Sequence, residues 1–336
     1  MTPLVDSFAR VHRDLRISVT DRCNFRCTYC MPEEGLEWLA RADVLTFEEI
    51  ERVARVCVER YGFDAIRLTG GEPTVRAHLP VLVAKLAALS VGESDGVRRS
   101  VDLSMTTNGV TLGLLAGELA EAGLRRVNIS LDSLRRDRFT DLTRRDALDR
   151  VLEGIDAALA AGLTPVKVNA VVVRGQNDDE VVELARFGRD RGVVVRFIEY
   201  MPLDADGHWE TSQVVPGSEI VAAIDGEWAL EAQAPGHEPA RRWRYADGAG
   251  EIGVIPSVTD AFCSTCDRVR LTADGSLRAC LFAVEETDLR GPMRSGASDD
   301  DLAALIATTV AGKWAGHGIG EVHFLRPRRS MSQIGG

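Results

Sequence analysis

The 336-residue chain has no apolar run near the roughly 20 residues that a membrane-spanning helix requires. Its first residues, Met1 to Arg10, lack the long apolar core of a secretion signal. Both absences lead to the expectation of a cytoplasmic protein. Positive charge is also in short supply: 40 Lys+Arg face 51 Asp+Glu, for a net charge of −11. That balance argues against nucleic acid or an anionic membrane as partner, and leaves anion binding to a local cluster of bases. No internal repeat or low-complexity tract stands out. Gly316-His-Gly-Ile-Gly320 is too irregular for a dinucleotide fingerprint, lacks its strand–helix setting, and reads as a loop. Cysteines number only seven, and a cytoplasmic setting argues against a disulfide framework.

What is present suits a globular protein: 45% apolar and 27% charged residues. The length suggests about two domains, or one large barrel with an extension. Strand-like runs occur at Leu15–Thr20, Asp64–Thr69, Val101–Thr107, Arg126–Leu131, Pro165–Val173 and Val193–Glu199. Helical patterns lie between them. One begins with the capping box Thr46-Phe-Glu-Glu49 and stops at Tyr61-Gly62, and others fall near 78–90, 111–122, 146–161 and 178–190. Strand–helix alternation implies right-handed crossovers and a parallel sheet. Six units are too few for eight strands. The expected fold is therefore α/β: a partial (β/α)6 TIM-type barrel over residues 1–205, with a C-terminal α+β extension over 206–336. Glu231 to Glu251 reads as an exposed hairpin or insertion, and Ser298 caps a last helix to about Lys313.

Alternation along the strands separates two faces. One is apolar, as in Leu15/Ile17/Val19 and Val127/Ile129/Leu131. The other carries Arg16/Ser18/Thr20, Arg67/Thr69, Ser104/Thr106/Asn108, Asn128/Ser130/Asp132 and Lys167/Asn169. If helices cover the apolar face, the polar face points into the barrel, where branched apolar side chains normally pack. A polar interior implies a ligand cavity, and Arg16, Arg67 and Lys167 would make that ligand anionic. A half-exposed antiparallel sheet is the alternative.

Six cysteines form two sets: Cys23, Cys27, Cys30 and Cys263, Cys266, Cys280. The first follows the first strand, where barrel active sites lie. Thiolates select zinc or iron–sulfur, and three of them leave one position of a four-iron cluster open. Zinc would need a fourth ligand, for which His12 and His78 are the nearest candidates. The second set repeats the pattern. Beside it, Arg268 and Arg270 on the strand Arg268–Thr272 share one face, which suits a phosphate. Cys57 falls on an apolar helix face and reads as buried.

Cys-x3-Cys-x2-Cys with Tyr29 before the last cysteine resembles the signature of the radical S-adenosylmethionine superfamily. Gly70-Gly71-Glu72-Pro73 is similar to that superfamily's cofactor-binding motif. The resemblance implies that the open iron chelates the cofactor methionine and that reductive cleavage gives a 5'-deoxyadenosyl radical. A narrower resemblance covers nearly the whole chain. It is carried by Asp21-Arg-Cys-Asn-Phe-Arg-Cys-Thr-Tyr-Cys30, Thr106-Thr-Asn-Gly109, Ser130-Leu-Asp-Ser133, Phe197-Ile-Glu-Tyr-Met201 and Phe262-Cys-Ser-Thr-Cys-Asp-Arg268. It points to the GTP-cyclising family that opens molybdenum cofactor synthesis.

That resemblance implies two [4Fe–4S] clusters and S-adenosylmethionine as cofactors, and a lyase acting on GTP. The radical would take the ribose 3' hydrogen and the resulting carbon would attack guanine C8. Metal ligands would be Cys23, Cys27, Cys30, Cys263, Cys266 and Cys280. Tyr29, Gly71, Ser130 and Met201 would bind the cofactor. Arg16, Arg67, Thr106, Lys167, Arg268, Val269 and Arg270 would bind GTP. Arg268, Arg270 and a tail ending in Gly335 and Gly336 would serve catalysis, with Met331 and Ile334 anchoring the tail. A reductant protein and a cyclic pyranopterin synthase that takes the product are implied partners, and a homodimer is an expectation from the family alone. A radical peptide-modifying enzyme and a zinc-stapled binding protein are the rivals. Arg326-Pro-Arg-Arg329 reads equally as an anion patch or a solvated tail.

Overall fold

The computed structural model describes every residue except Met1, Asp95, Gly96, Ala205, His237, His323 and Gly336. Six strands match the sequence reading to within about two residues: β1 (Asp14–Ser18), β2 (Ala65–Thr69), β3 (Asp102–Thr107), β4 (Arg126–Ser130), β5 (Lys167–Val172) and β6 (Val194–Glu199). All pair in parallel in chain order. The helices between them are α1 (Phe47–Tyr61), α2 (Leu79–Ala87), α3 (Leu112–Glu121), α4 (Arg136–Thr143), α5 (Leu148–Ala160) and α6 (Val181–Arg191). The first of these begins as the sequence requires. Thr46 accepts from Glu49 N, the Glu49 carboxylate accepts from Thr46 N, and Gly62 closes the helix in the left-handed conformation. Helix α4 escaped the sequence reading because Arg135 gives it no side-chain cap and its apolar content is small. It is held from outside, with Phe139 edge-on to Phe25 at 5.9 Å between ring centroids.

The sheet does not stop at six strands. After α7 (Gly217–Asp225), strands β7 (Leu230–Ala232), β8 (Arg241–Tyr245) and β9 (Glu251–Ile255) follow as antiparallel neighbours, so the expected hairpin is present. Then β9 joins β6 in parallel. At the other edge, β10 (Arg268–Leu271) joins β1 in parallel and continues antiparallel into β11 (Ser276–Arg278) and β12 (Thr287–Asp288). The C-terminal segment thus extends both edges of one twelve-stranded sheet, and eight strands run parallel. The chain closes with α8 (Arg290–Arg294), α9 (Asp299–Ala311) and α10 (Met331–Ile334).

Leu15, Ile17, Ile66, Leu68, Val127 and Ile129 are buried in one apolar core. The opposite face surrounds a cavity of about 240 Å³. Side chains from all eight parallel strands reach that one cavity: Arg16, Arg67, Thr106, Ser130, Asn169, Arg196, Ile255 and Arg268. A flat eight-stranded sheet would be about 33 Å across at ~4.8 Å per strand, too wide for its strands to share one small cavity. The sheet therefore curves around it, and the half-exposed alternative fails.

Candidate active site

The loop after β1 carries Cys23, Cys27 and Cys30, and all three line the cavity. Its shape depends on the turn after β2. Gly71 N–H donates to Thr20 O at 2.7 Å and Glu72 N–H to Arg22 O at 2.8 Å. A Cβ on Gly71 would lie 2.4 Å from Arg22 O and 2.5 Å from Asp21 O, so no larger residue fits. The two N–H groups are thus engaged with the cysteine loop rather than exposed to the cavity. The carbonyls of this turn suit an amino group, which needs acceptors.

Glu72 is buried and its carboxylate fastens this turn to the end of β3. It accepts from Thr74 N (3.0 Å), Thr74 Oγ1 (2.6 Å), Thr107 Oγ1 (2.7 Å) and Asn108 N (2.6 Å). Burial pushes its pKa up, while these donors oppose the rise. Glu72→Ala will leave several buried donors unpaired and destabilise the fold by about 3 kcal/mol. A thermal unfolding midpoint equal to wild type would show the carboxylate to be dispensable.

Cys23 Sγ accepts from Phe25 N at 3.4 Å, and the Asn108 amide approaches it at 4.0 Å. Burial raises the thiol pKa values, to about 11 for Cys23 and about 12 for Cys30. A metal must therefore displace these protons on binding. Among the described residues, no group of three or more His, Cys, Asp or Glu converges on a single ion. Zinc requires that convergence, whereas the thiolates of a four-iron cluster bind different irons. The donor set fits the cluster. Next to it, Tyr29 Oη donates to Asp132 Oδ2 at 2.6 Å, and Asp132 Oδ1 accepts from Val171 N at 2.8 Å. Burial lifts Asp132 to about 6. Gly71, Ser130 and Met201 also line this end.

The other wall is cationic. Arg16, Arg67, Arg268 and Arg270 all border the cavity. Arg16 lies 3.8 Å from Asp14, an ion pair too long for a hydrogen bond, and among the described residues its buried Nε has no hydrogen-bond partner. Burial, with repulsion from Arg67 and Arg270, pulls its pKa down. Burial likewise lowers Arg270 to about 10. A crowd of buried guanidiniums, with Asp14, Asp102 and Asp267 as the carboxylates near them, is costly unless a further anion joins it.

Two GTP-binding expectations sit differently. Lys167 does not border the cavity. It pairs with Glu238 at 3.4 Å, and burial lowers it to about 8. Val269 faces the apolar core, so only its main chain is left for a ligand. The sequence reading missed Arg196 and Glu238. Arg196 borders the cavity and is ion-paired to Glu238. Strand alternation signals Arg196, since Val195 and Phe197 both enter the core. Nothing in the sequence marks Glu238, which lies in the segment read as an exposed hairpin.

The second cysteine set is not among the residues that line the cavity, but Cys266 and Cys280 lie near Arg268 and Arg270. Phe282 N donates to Cys280 Sγ at 3.4 Å and Lys313 Nζ to Cys266 Sγ at 3.4 Å. Burial alone would raise Cys266, but Arg268 and Lys313 bring it down to about 7. Cys57 is buried on α1, as expected.

The tail enters the same cavity region. Ile334 packs with Leu203, Phe282 and Ile319, and Met331 and Cys280 adjoin them. Arg329 binds Asp274 (3.1 and 2.8 Å) and Glu286 (2.7 Å), and Arg326 is paired with Asp204. These arginines are tail anchors, which corrects both sequence readings of that stretch. Gly335 O accepts from Arg270 Nη1 at 2.6 Å. A Cβ on Gly335 would meet Thr69 Oγ1 at 2.6 Å and Ser18 Cβ at 3.0 Å, and its φ is +83°. Gly336 lies outside the described residues.

The Radical SAM superfamily profile matches residues 17–188, and the Molybdenum Cofactor Synthesis C profile matches residues 193–319. A protein of Streptomyces coelicolor named GTP 3',8-cyclase is 48% identical over 336 residues, covering 99% of this chain and 96% of its own. The GTP 3',8-cyclase 2 of Mycobacterium tuberculosis is 49% identical over 340 residues, covering 99% and 92%. The chain belongs to the GTP 3',8-cyclase family. Outside this family, SuiB of Streptococcus suis bound to S-adenosylmethionine superposes with a TM-score of 0.58 at 15% identity, over 97% of this chain and 78% of SuiB. At that identity the likeness concerns the fold alone. The profile match over residues 17–188 gives this chain a radical S-adenosylmethionine fold. Among its described residues here, no helix is long and apolar enough to cross a membrane.

Proposed function

We propose that this chain is a lyase that converts GTP to (8S)-3',8-cyclo-7,8-dihydroguanosine 5'-triphosphate, the first step of molybdenum cofactor biosynthesis. One observation carries the reading: a single cavity is lined both by Cys23, Cys27 and Cys30 and by Arg16, Arg67, Arg268 and Arg270. Cys23, Cys27 and Cys30 hold a first [4Fe–4S] cluster, and Tyr29, Gly71, Ser130 and Met201 line the place for S-adenosylmethionine. When bound, these two groups supply a radical able to take a hydrogen atom. Cys263, Cys266 and Cys280 hold a second cluster on the nucleotide side.

The chain's own contribution is to bind, orient and exclude water. Guanidiniums bind phosphate oxygens in pairs, which fixes orientation as well as charge. Arg16, Arg67, Arg268 and Arg270 receive GTP, with Thr106 and the main chain of Val269. Lys167 joins them when Glu238 gives way to phosphate. Arg270 already holds Gly335, so tail and nucleotide share one guanidinium. The functional division lies near residue 205, with the cofactor-binding barrel before it and the nucleotide-binding extension after it. A cytoplasmic setting, an external reductant protein and a pyranopterin synthase as product acceptor belong to the same proposal.

Arg268→Ala will weaken GTP binding about tenfold to a hundredfold, because a hydrogen bond to a charged group contributes roughly 1.5–3 kcal/mol. Equilibrium binding to the reconstituted protein measures it. Wild-type affinity in the variant would leave the cationic wall without its substrate.

A further inference from the structure

We propose that Lys313 is a positioning residue of the second cysteine set, its ammonium holding the Cys266 sulfur and setting how readily the cluster bound there is reduced. The inference rests on the reading of Cys263, Cys266 and Cys280 as cluster ligands.

Lys313 follows α9 by two residues and is only 4% exposed. An ammonium has three donors, and here all three are used at once. Nζ donates to Cys266 Sγ at 3.4 Å, Cys266 O at 3.1 Å and Arg268 O at 2.8 Å. The Cys266 sulfur is in hydrogen-bond contact with the ammonium, and the Asp267 carboxylate lies close enough to feel its charge. A buried ammonium is costly unless negative charge surrounds it, and thiolates carrying a cluster would add to the charge of Asp267. The residues around it are fixed from the far side of the chain. Arg10 donates to Trp314 O (2.6 Å), Ala315 O (3.0 Å) and Cys263 O (2.7 Å), while Asp6 holds Arg10 at 2.6 Å. The Lys313 stretch and the Cys263 loop are therefore tied to one guanidinium.

An N–H donor on a ligating sulfur withdraws electron density from the cluster and stabilises its more negative, reduced state. By contrast, the hydrogen bonds to Cys23 come from a backbone N–H and a side-chain amide. Because Lys313 also holds Arg268 O, its loss would disturb both the cluster and the first residue of the phosphate-binding strand.

The test uses full-length Cys27→Ala protein, reconstituted anaerobically so that only the second cluster is present. Its midpoint potential is read by redox titration with electron paramagnetic resonance, alone and with Lys313→Gln or Lys313→Arg added. Lys313→Gln is expected to lower the reduced-to-oxidised ratio at a fixed poise about tenfold, a fall of about 59 mV for one electron. Lys313→Arg is expected to stay close to the parent. Loss of iron in the Gln variant with retention in the Arg variant would also support the role. An unchanged potential with full iron in Lys313→Gln would overturn it, as would loss of iron in both variants, which would indicate packing alone. A Cys27→Ala parent that takes up no iron would instead overturn the cluster reading itself.

Discussion

Cys27→Ala protein, reconstituted anaerobically, will hold about four iron atoms per chain where the wild type holds about eight, as two four-iron clusters demand. It will also lose all cleavage of S-adenosylmethionine. The two effects arise from one place. Cys27 is the middle ligand of the loop that Gly71 and Glu72 press against the cavity. Three thiolates already leave one iron open, so removing one leaves too few to hold the cluster. The second set lies on two other loops, Cys263 and Cys266 just before β10 and Cys280 just after β11, tied by Arg10 and Lys313. Iron and sulfide analysis gives the stoichiometry, and product chromatography gives cofactor cleavage. Stoichiometric zinc in place of iron in the wild type would contradict the whole assignment.

Deleting Gly335 and Gly336 will leave the fold, both clusters and S-adenosylmethionine binding intact, and will abolish hydrogen abstraction from GTP. Gly335 is the buried end of an anchored tail. Arg329 and Ile334 hold the tail, while Arg270 clasps the Gly335 carbonyl. The backbone passes so close to Thr69 and Ser18 that a side chain would collide. Truncation removes the partner of a buried guanidinium without touching a cysteine. A synthetic tail peptide should restore part of the activity, at high concentration because the link is no longer covalent. The measurement is GTP-dependent formation of 5'-deoxyadenosine. Wild-type amounts of it and of cyclised product from the truncated chain would make the tail ordinary.

The six inner strands and the polar cavity were legible because parallel strands with one helix-covered face leave a plain two-residue alternation. Arg16, Arg67, Thr106 and Ser130 stand where that alternation puts them. Outside the barrel the signal weakens for physical reasons. Strands β9 and β10 are five and four residues long, and their parallel partners lie far away in sequence, so no local pattern announces that they widen the sheet to eight. Glu238 acts through long-range ion pairs to Lys167 and Arg196, which composition cannot reveal. The stretch from Arg326 to Arg329 was ambiguous because its carboxylate partners, Asp204, Asp274 and Glu286, belong to three other segments. The grouping of six cysteines into two sets, by contrast, is plain from spacing alone, while their assignment to two four-iron clusters came from the family resemblance.

The most direct test is anaerobic incubation of the reconstituted chain with GTP, S-adenosylmethionine and dithionite, followed by mass analysis. The account predicts 5'-deoxyadenosine together with a GTP-derived cyclic dihydro triphosphate, in which a deuterium placed at ribose C3' has moved to the deoxyadenosine. Cleavage of S-adenosylmethionine with unlabelled 5'-deoxyadenosine and unchanged GTP would contradict it.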